Sequence, residues 1–171
     1  MASFSRAAVA LLLVPRALGA SMCMAGPPTP IQAPAWVQPC VPVTVPFKQW
    51  DVESEGAAQT ISLLAGKFCL DLADGKTDNG NAVGLWECNG LPNQQWLFAS
   101  DTWQIKYYAD QSKCVDAGDM SPGSQLQIWD CNDTPQQHWG YDTDQHTIYL
   151  SDSSRRLRGQ ARSPEPAGFA V

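Results

Sequence analysis

Along the middle of the chain, apolar and polar residues alternate in short runs. They are "TISLL" (Thr60–Leu64), "KFCLDL" (Lys67–Leu72), "AVGLWEC" (Ala82–Cys88), "WQIKYY" (Trp103–Tyr108) and "LQIWDC" (Leu126–Cys131). A period of two predicts half-buried strands, and the clusters "DGKTDNGN" (Asp74–Asn81) and "GDMSPGS" (Gly118–Ser124) between them predict turns. No window carries a helical stripe, so an all-β chain is expected. Strand side chains alternate between faces, so Phe68, Leu70 and Leu72 share one face, while Cys69 and Asp71 share the other. Val83 and Leu85 likewise point away from Gly84, Trp86 and Cys88, and alternation places Leu70, Leu85, Val115 and Ile128 in the core.

The runs recur. Trp50, Trp96 and Trp139 are spaced by 46 and 43 residues, and Ile61, Ile105 and Ile148 keep step with them. So do Cys69 and Cys114, Asp71 and Asp116, and Cys88 and Cys131. "GNAVGLWECNGLPNQQW" (Gly80–Trp96) and "GSQLQIWDCNDTPQQHW" (Gly123–Trp139) both carry Trp-x-Cys and end on Gln-x-Trp. Periods of this size mark repeated units, each too small to bury its apolar face alone. Trp96 and Trp139 are therefore expected in a shared core.

The repeat cysteines can be reduced thiols, zinc ligands or disulfides. Gaps of 19 and 17 residues offer no Cys-x-x-Cys knuckle, and a secretory leader favours bridges. A bridge from Cys69 to Cys88 across an antiparallel pair would set Asp71 opposite Trp86, on the face away from the core. Cys114 with Cys131 would set Asp116 opposite Trp129 in the same way. Cys40 is left over, as a free thiol or an intermolecular bridge, and Cys23 either leaves with the leader or stays.

Charge narrows the partners. The net charge is −6, but residues 51–150 hold fifteen acids against four lysines and no arginine, about −11 by direct count. That segment repels phosphate backbones, so no nucleic acid is expected as a partner. Arg6, the apolar run Ala7–Val14 and small residues at 17–21 follow the order of a secretory signal peptide, too short to span a bilayer. The expected location is therefore secreted, with organelle import as the alternative and no transmembrane segment after signal removal. Residues 26–46 contain seven prolines, which predicts an extended tether outside the core.

Catalytic chemistry is not signalled. Neither of the two histidines, His138 and His146, lies in a nucleophile–base pattern, and no carboxylate pair is marked at glycosidase spacing. "DGKTDNGN" lacks the glycine a calcium loop needs at its sixth position. No enzymatic activity, metal or cofactor is expected.

The pattern Cys-[Leu/Val]-Asp, then Gly-x-x-[Val/Leu]-x-[Leu/Ile]-Trp-x-Cys, then Gln-x-Trp resembles the ricin B-type lectin repeat, also found in family-thirteen carbohydrate-binding modules. The resemblance covers about Thr60 to Trp139 well and extends weakly to Arg156. It implies a β-trefoil, three four-stranded repeats around a pseudo-threefold axis, and sugar binding. In such sites an Asp accepts from sugar hydroxyls, an aromatic ring stacks on the pyranose, and an Asn and one or two Gln assist. In the first copy these are Asp71, Trp86, Asn93 and Gln94, with Gly84 in place of the auxiliary Gln. In the second they are Asp116, Gln127, Trp129 and Gln137, with Gln136 where Asn is expected. The first copy, with Asp, Trp and Asn intact, is the better candidate. A sugar's apolar C–H face and hydroxyl rim fit one flat indole beside a carboxylate and amides. Galactose-type sugars are implied first and xylan-type chains next. The alternatives are an accessory domain detached from a secreted glycoside hydrolase and a trefoil that packs only against protein.

The third repeat breaks off. Up to Arg156 the chain tracks the second copy, but Leu157 stands where a cysteine is due. Leu157-Arg158-Gly159-Gln160 is what codons for Cys-Val-Asp yield when read one base earlier, which implies a frameshift or a mis-called exon. The expected organisation is a signal peptide over 1–25, a proline-rich tether over 26–50, an incomplete β-trefoil over 51–156 and an irregular tail over 157–171. Trp36–Trp50 faintly echoes the back half of a repeat, but its prolines argue against regular strands.

Overall fold

In the computed structural model of the chain, the described residues are 22–26, 33–40, 49–52, 56–63 and 66–151. Three strands come first: β1 (Met22–Ala25), β2 (Ala33–Pro34) and β3 (Trp36–Pro39). The first full copy follows as β4 (Trp50–Val52), the short β5 (Ala58–Gln59), β6 (Ile61–Leu63), β7 (Phe68–Leu72) and β8 (Val83–Glu87). The second is β9 (Trp96–Ala99), β10 (Gln104–Tyr107), β11 (Asp110–Asp116) and β12 (Gln127–Asp130), and β13 (Trp139–Asp142) and β14 (Thr147–Leu150) close the described chain.

These strands form three antiparallel sheets, one per repeat. Their orders are β4-β6-β7-β8 with β2 added at the edge, β9-β10-β11-β12 with β5 added, and β13-β14-β1-β3. The third repeat is thus assembled from both ends of the described chain. β14 pairs with β1 at Tyr149 and Cys23, and β1 pairs with β3. This is the β-trefoil, and its threefold symmetry extends to single atoms. The indole N–H of Trp50, Trp96 and Trp139 donates to the carbonyl of Met24, Leu70 and Val115 respectively, at 3.1, 2.9 and 2.9 Å. Each acceptor is the middle residue of the equivalent triplet, Cys23-Met24-Ala25, Cys69-Leu70-Asp71 or Cys114-Val115-Asp116. Near the axis a ring of backbone bonds runs from Ala35 N to Val83 O, from Val83 N to Leu126 O and from Leu126 N to Ala35 O. The three tryptophans, with Leu70, Val115 and Ile128, are buried without residual exposure in a single core.

Several expectations are corrected here. The segment read as the end of a signal peptide and a tether supplies β1, β2 and β3, and Met24, Ala35 and Val37 are core. Pro34 and Pro39 are tolerated because they lie in the outermost strands of their sheets, where a missing N–H breaks no interior ladder. Cys40 is not left over: it bridges to Cys23, the threefold equivalent of Cys69–Cys88 and Cys114–Cys131. The barrel is therefore closed, where a missing half-repeat would have left it open. The leader residues 1–21 and the tail from 152, with its frameshift reading, lie outside the described residues.

Register is also corrected. Cys69 lies opposite Trp86 and Asp71 opposite Gly84; Cys114 lies opposite Trp129 and Asp116 opposite Gln127. The bridges run diagonally, because β8 ends at Glu87 and Cys88 turns in beyond the ladder, its N–H donating to Lys67 O at 3.3 Å. Nor is the second face of β7 open to solvent: Cys69 and Asp71 are both buried.

Candidate functional site

What covers Asp71 is the turn after β8. Residues Pro92–Gln94 form a single 3-10 turn that folds back over β7. Asn93 Nδ2 and Gln94 Nε2 both donate to Asp71 Oδ2, at 2.9 and 2.8 Å. Gln94 is completely buried and also ties the turn together, donating to Glu87 O and accepting from Asn89 N. Gln137 does the same in the second copy, donating to Asp116 Oδ2 at 3.0 Å and to Asp130 O, and accepting from Asn132 N. The glutamine of each Gln-x-Trp therefore aims the carboxylate from behind and is itself sealed from solvent.

The two carboxylates differ in what remains to them. Both bonds at Asp71 fall on Oδ2, so among the described residues Oδ1 is the oxygen without a hydrogen-bond donor. At Asp116 both oxygens accept: Oδ1 from Gly118 N at 2.7 Å and Gln127 Nε2 at 3.2 Å, Oδ2 from Gln137. Burial is the main cause that raises the pKa of Asp71. The bonds from Gln94 and Asn93 counter it, and nearby Asp74 adds to the rise. The indoles of Trp86 and Trp129 are each partly exposed, at 38%.

A pocket of about 280 Å³ opens at the first copy, lined by Asp71, Asp74, Gly84 and Trp86 and, from the N-terminal segment, by Ala33 and Pro34. Position 84 has no side chain, and β2 packs into the space one would take, so Ala33 and Pro34 become pocket walls. The threefold equivalents of the pair Asp71 and Gly84 are Asp116 with Gln127 and Ala25 with Trp36. Gln127 fills that place and bonds Asp116, while the third copy has Trp36 there, Ala25 for the carboxylate and Gln38 for the indole. Of the residues expected from the sequence, Asp71, Trp86, Asn93 and Gln94 come together, and Asp116, Gln127, Trp129 and Gln137 form a second, self-satisfied cluster. Sequence reading missed Ala33, Pro34 and Asp74. The signal available for the first two was the match of Trp36–Cys40 to Gly84–Cys88.

The histidines are engaged structurally. His138 Nε2 lies 2.8 Å from Asp133 Oδ1, and His146 Nδ1 lies 3.0 Å from the Tyr141 hydroxyl.

Comparison with known proteins agrees with the fold. The family model of the ricin-type beta-trefoil lectin domain matches residues 15–96 and again 57–167. Among solved structures, the chain is similar to a mosquitocidal holotoxin (TM-score 0.58, 13% identity), covering 78% of this chain and 16% of that one. It is also similar to ThreeFoil, a designed 3-fold symmetric protein (TM-score 0.51, 17% identity, 71% of this chain and 82% of that one). A third likeness is to the PSL1a-E64 complex (TM-score 0.51, 15% identity, 86% and 50%). At these identities the likeness speaks for the fold, and the chain spans only 16% of the holotoxin's length.

Proposed function

The chain belongs to the ricin-type β-trefoil lectin domain family, and on that premise we propose that it binds a neutral pyranose in the pocket of its first copy, without catalysis. Galactose-type sugars are the first choice and xylan-type chains the second. Trp86 offers its exposed indole to the apolar face of the ring. Asp71 Oδ1 accepts from sugar hydroxyls, and Asn93 both fixes Asp71 and supplies an amide at the rim. Gln94 is a positioning residue, since it is buried.

One observation carries the reading. Only in the first copy do a carboxylate with an oxygen to spare, an exposed indole and an unfilled floor coincide among the described residues. The second copy keeps Asp116, Gln127, Trp129 and Gln137, but its carboxylate is satisfied internally, so it is the weaker partner. Two carboxylates line the pocket, and while Asp74 is paired with the Lys76 ammonium at 3.0 Å, Asp71 has amide partners only, so a sugar bearing its own carboxylate would be repelled by Asp71. Three disulfides among the described residues favour an oxidising compartment, in keeping with secretion.

A glycan array probed with the oxidised protein tests this. Neutral glycans should bind and sialylated or uronic ones should not. Asp71→Ala or Trp86→Ala should remove binding while the three cysteine pairings persist. Undiminished binding by both variants would refute the site.

A further inference from the structure

The pocket is built across a repeat boundary. β8 lies between β7 and β2, with Gly84 opposite Asp71 on one side and opposite Pro34 on the other. Residues in register across neighbouring strands project to the same face, so Asp71, Gly84 and Pro34 form one row. Its two flanks are separated by two strand spacings, about 10 Å. With β2 packed against the bare Gly84, the row lines a trough, and Trp86 stands beside it, two residues along β8. Neither the middle of the row nor its Pro34 end is accidental. A Cβ at position 84 would stand 2.5 Å from Ala33 O, so glycine there is what lets β2 dock. Pro34 is exposed on the outermost strand and needs no N–H for a ladder.

The other two copies isolate the feature. Their equivalent rows are Asp116–Gln127–Ala82 and Ala25–Trp36–Gln125. In each the middle residue carries a side chain, so there is no trough to flank. Resting on the assignment of the sugar to this pocket, we infer that Pro34 is a ligand-contacting residue. It supplies the apolar flank facing Asp71, so the glycan is held by two repeats at once. A pyranose has an apolar edge as well as a hydroxyl rim, and a rigid pyrrolidine ring provides contact area with little ordering entropy.

The test uses the full oxidised chain on a printed array of neutral galacto-, gluco- and xylo-configured glycans. Pro34→Asp should weaken binding by about tenfold or more, and Pro34→Ala by about threefold, with Cys23–Cys40 still paired in the mass map. Gln125→Asp, at the equivalent place in the third copy, should change nothing. Wild-type binding by both Pro34 variants, alongside its loss in Asp71→Ala, would overturn the inference while sparing the site. Wild-type binding by Asp71→Ala would instead bring down the assignment on which it rests. If Pro34→Asp fails to pair its cysteines, Pro34→Ala alone decides, since it adds no charge.

Discussion

At Asp71 the proposed binding role and the stability of the fold pull in different directions. Its two amide donors hold it in place, but burial outweighs them and raises its pKa above the ordinary 3.8. A group shifted in this sense stabilises the fold most when protonated. Its contribution is complete below 3.8 and is lost as pH rises through the raised folded value. Asp71→Asn should therefore be at least as stable as the wild type at neutral pH in chemical unfolding. That margin should vanish on acidification, because the wild type recovers its contribution there. The same substitution should cost about tenfold or more in sugar affinity, since a charged acceptor is replaced by a neutral one. Wild-type affinity should itself begin to fall on acidification at a higher pH than a solvent-exposed aspartate would give. This is read by titrating one array-selected glycan across pH.

At the scale of elements, the β1–β3 pair has the most to lose. Among the described residues it is joined to the rest by one register pair to β14, the bond from Trp50 Nε1 to Met24 O, the backbone bonds of Val37 with Gly123 and Ser124, and the ring of bonds near the axis. Its own staple is Cys23–Cys40, closing a separation of 17 residues. Replacing both cysteines by serine should lower stability by about 3 kcal/mol in urea unfolding. Strand identity was largely legible: the alternating runs over 67–72, 82–88 and 126–131 contain β7, β8 and β12. Register was not. Direct opposition of bridged cysteines was the natural assumption, yet Cys88 and Cys131 both lie just past the end of their strands and cross diagonally. Nothing in a period of two reports where a ladder stops, so the expected register sets Asp71 opposite Trp86, two residues from Gly84, its true partner.

For the whole molecule, the repeat period made threefold architecture legible, and the resemblance supplied the trefoil and the candidate residues. Its closure was hidden by composition. The tract from 26 to 46 reads as a tether because proline dominates it, and only its spacing, Cys23 to Cys40 and onward to Trp50, betrays a half-repeat. Because that half-repeat carries Ala25, Trp36 and Gln38 at the three decisive places, closing the barrel adds no second pocket of the same kind. Asp116, already satisfied on both oxygens, leaves the middle copy in the same condition. On the proposed reading the threefold scaffold carries one sugar site, which calorimetric titration of the oxidised chain with an array-selected neutral glycan tests most directly. One glycan bound per chain is predicted; saturation at two or three per chain would contradict the account.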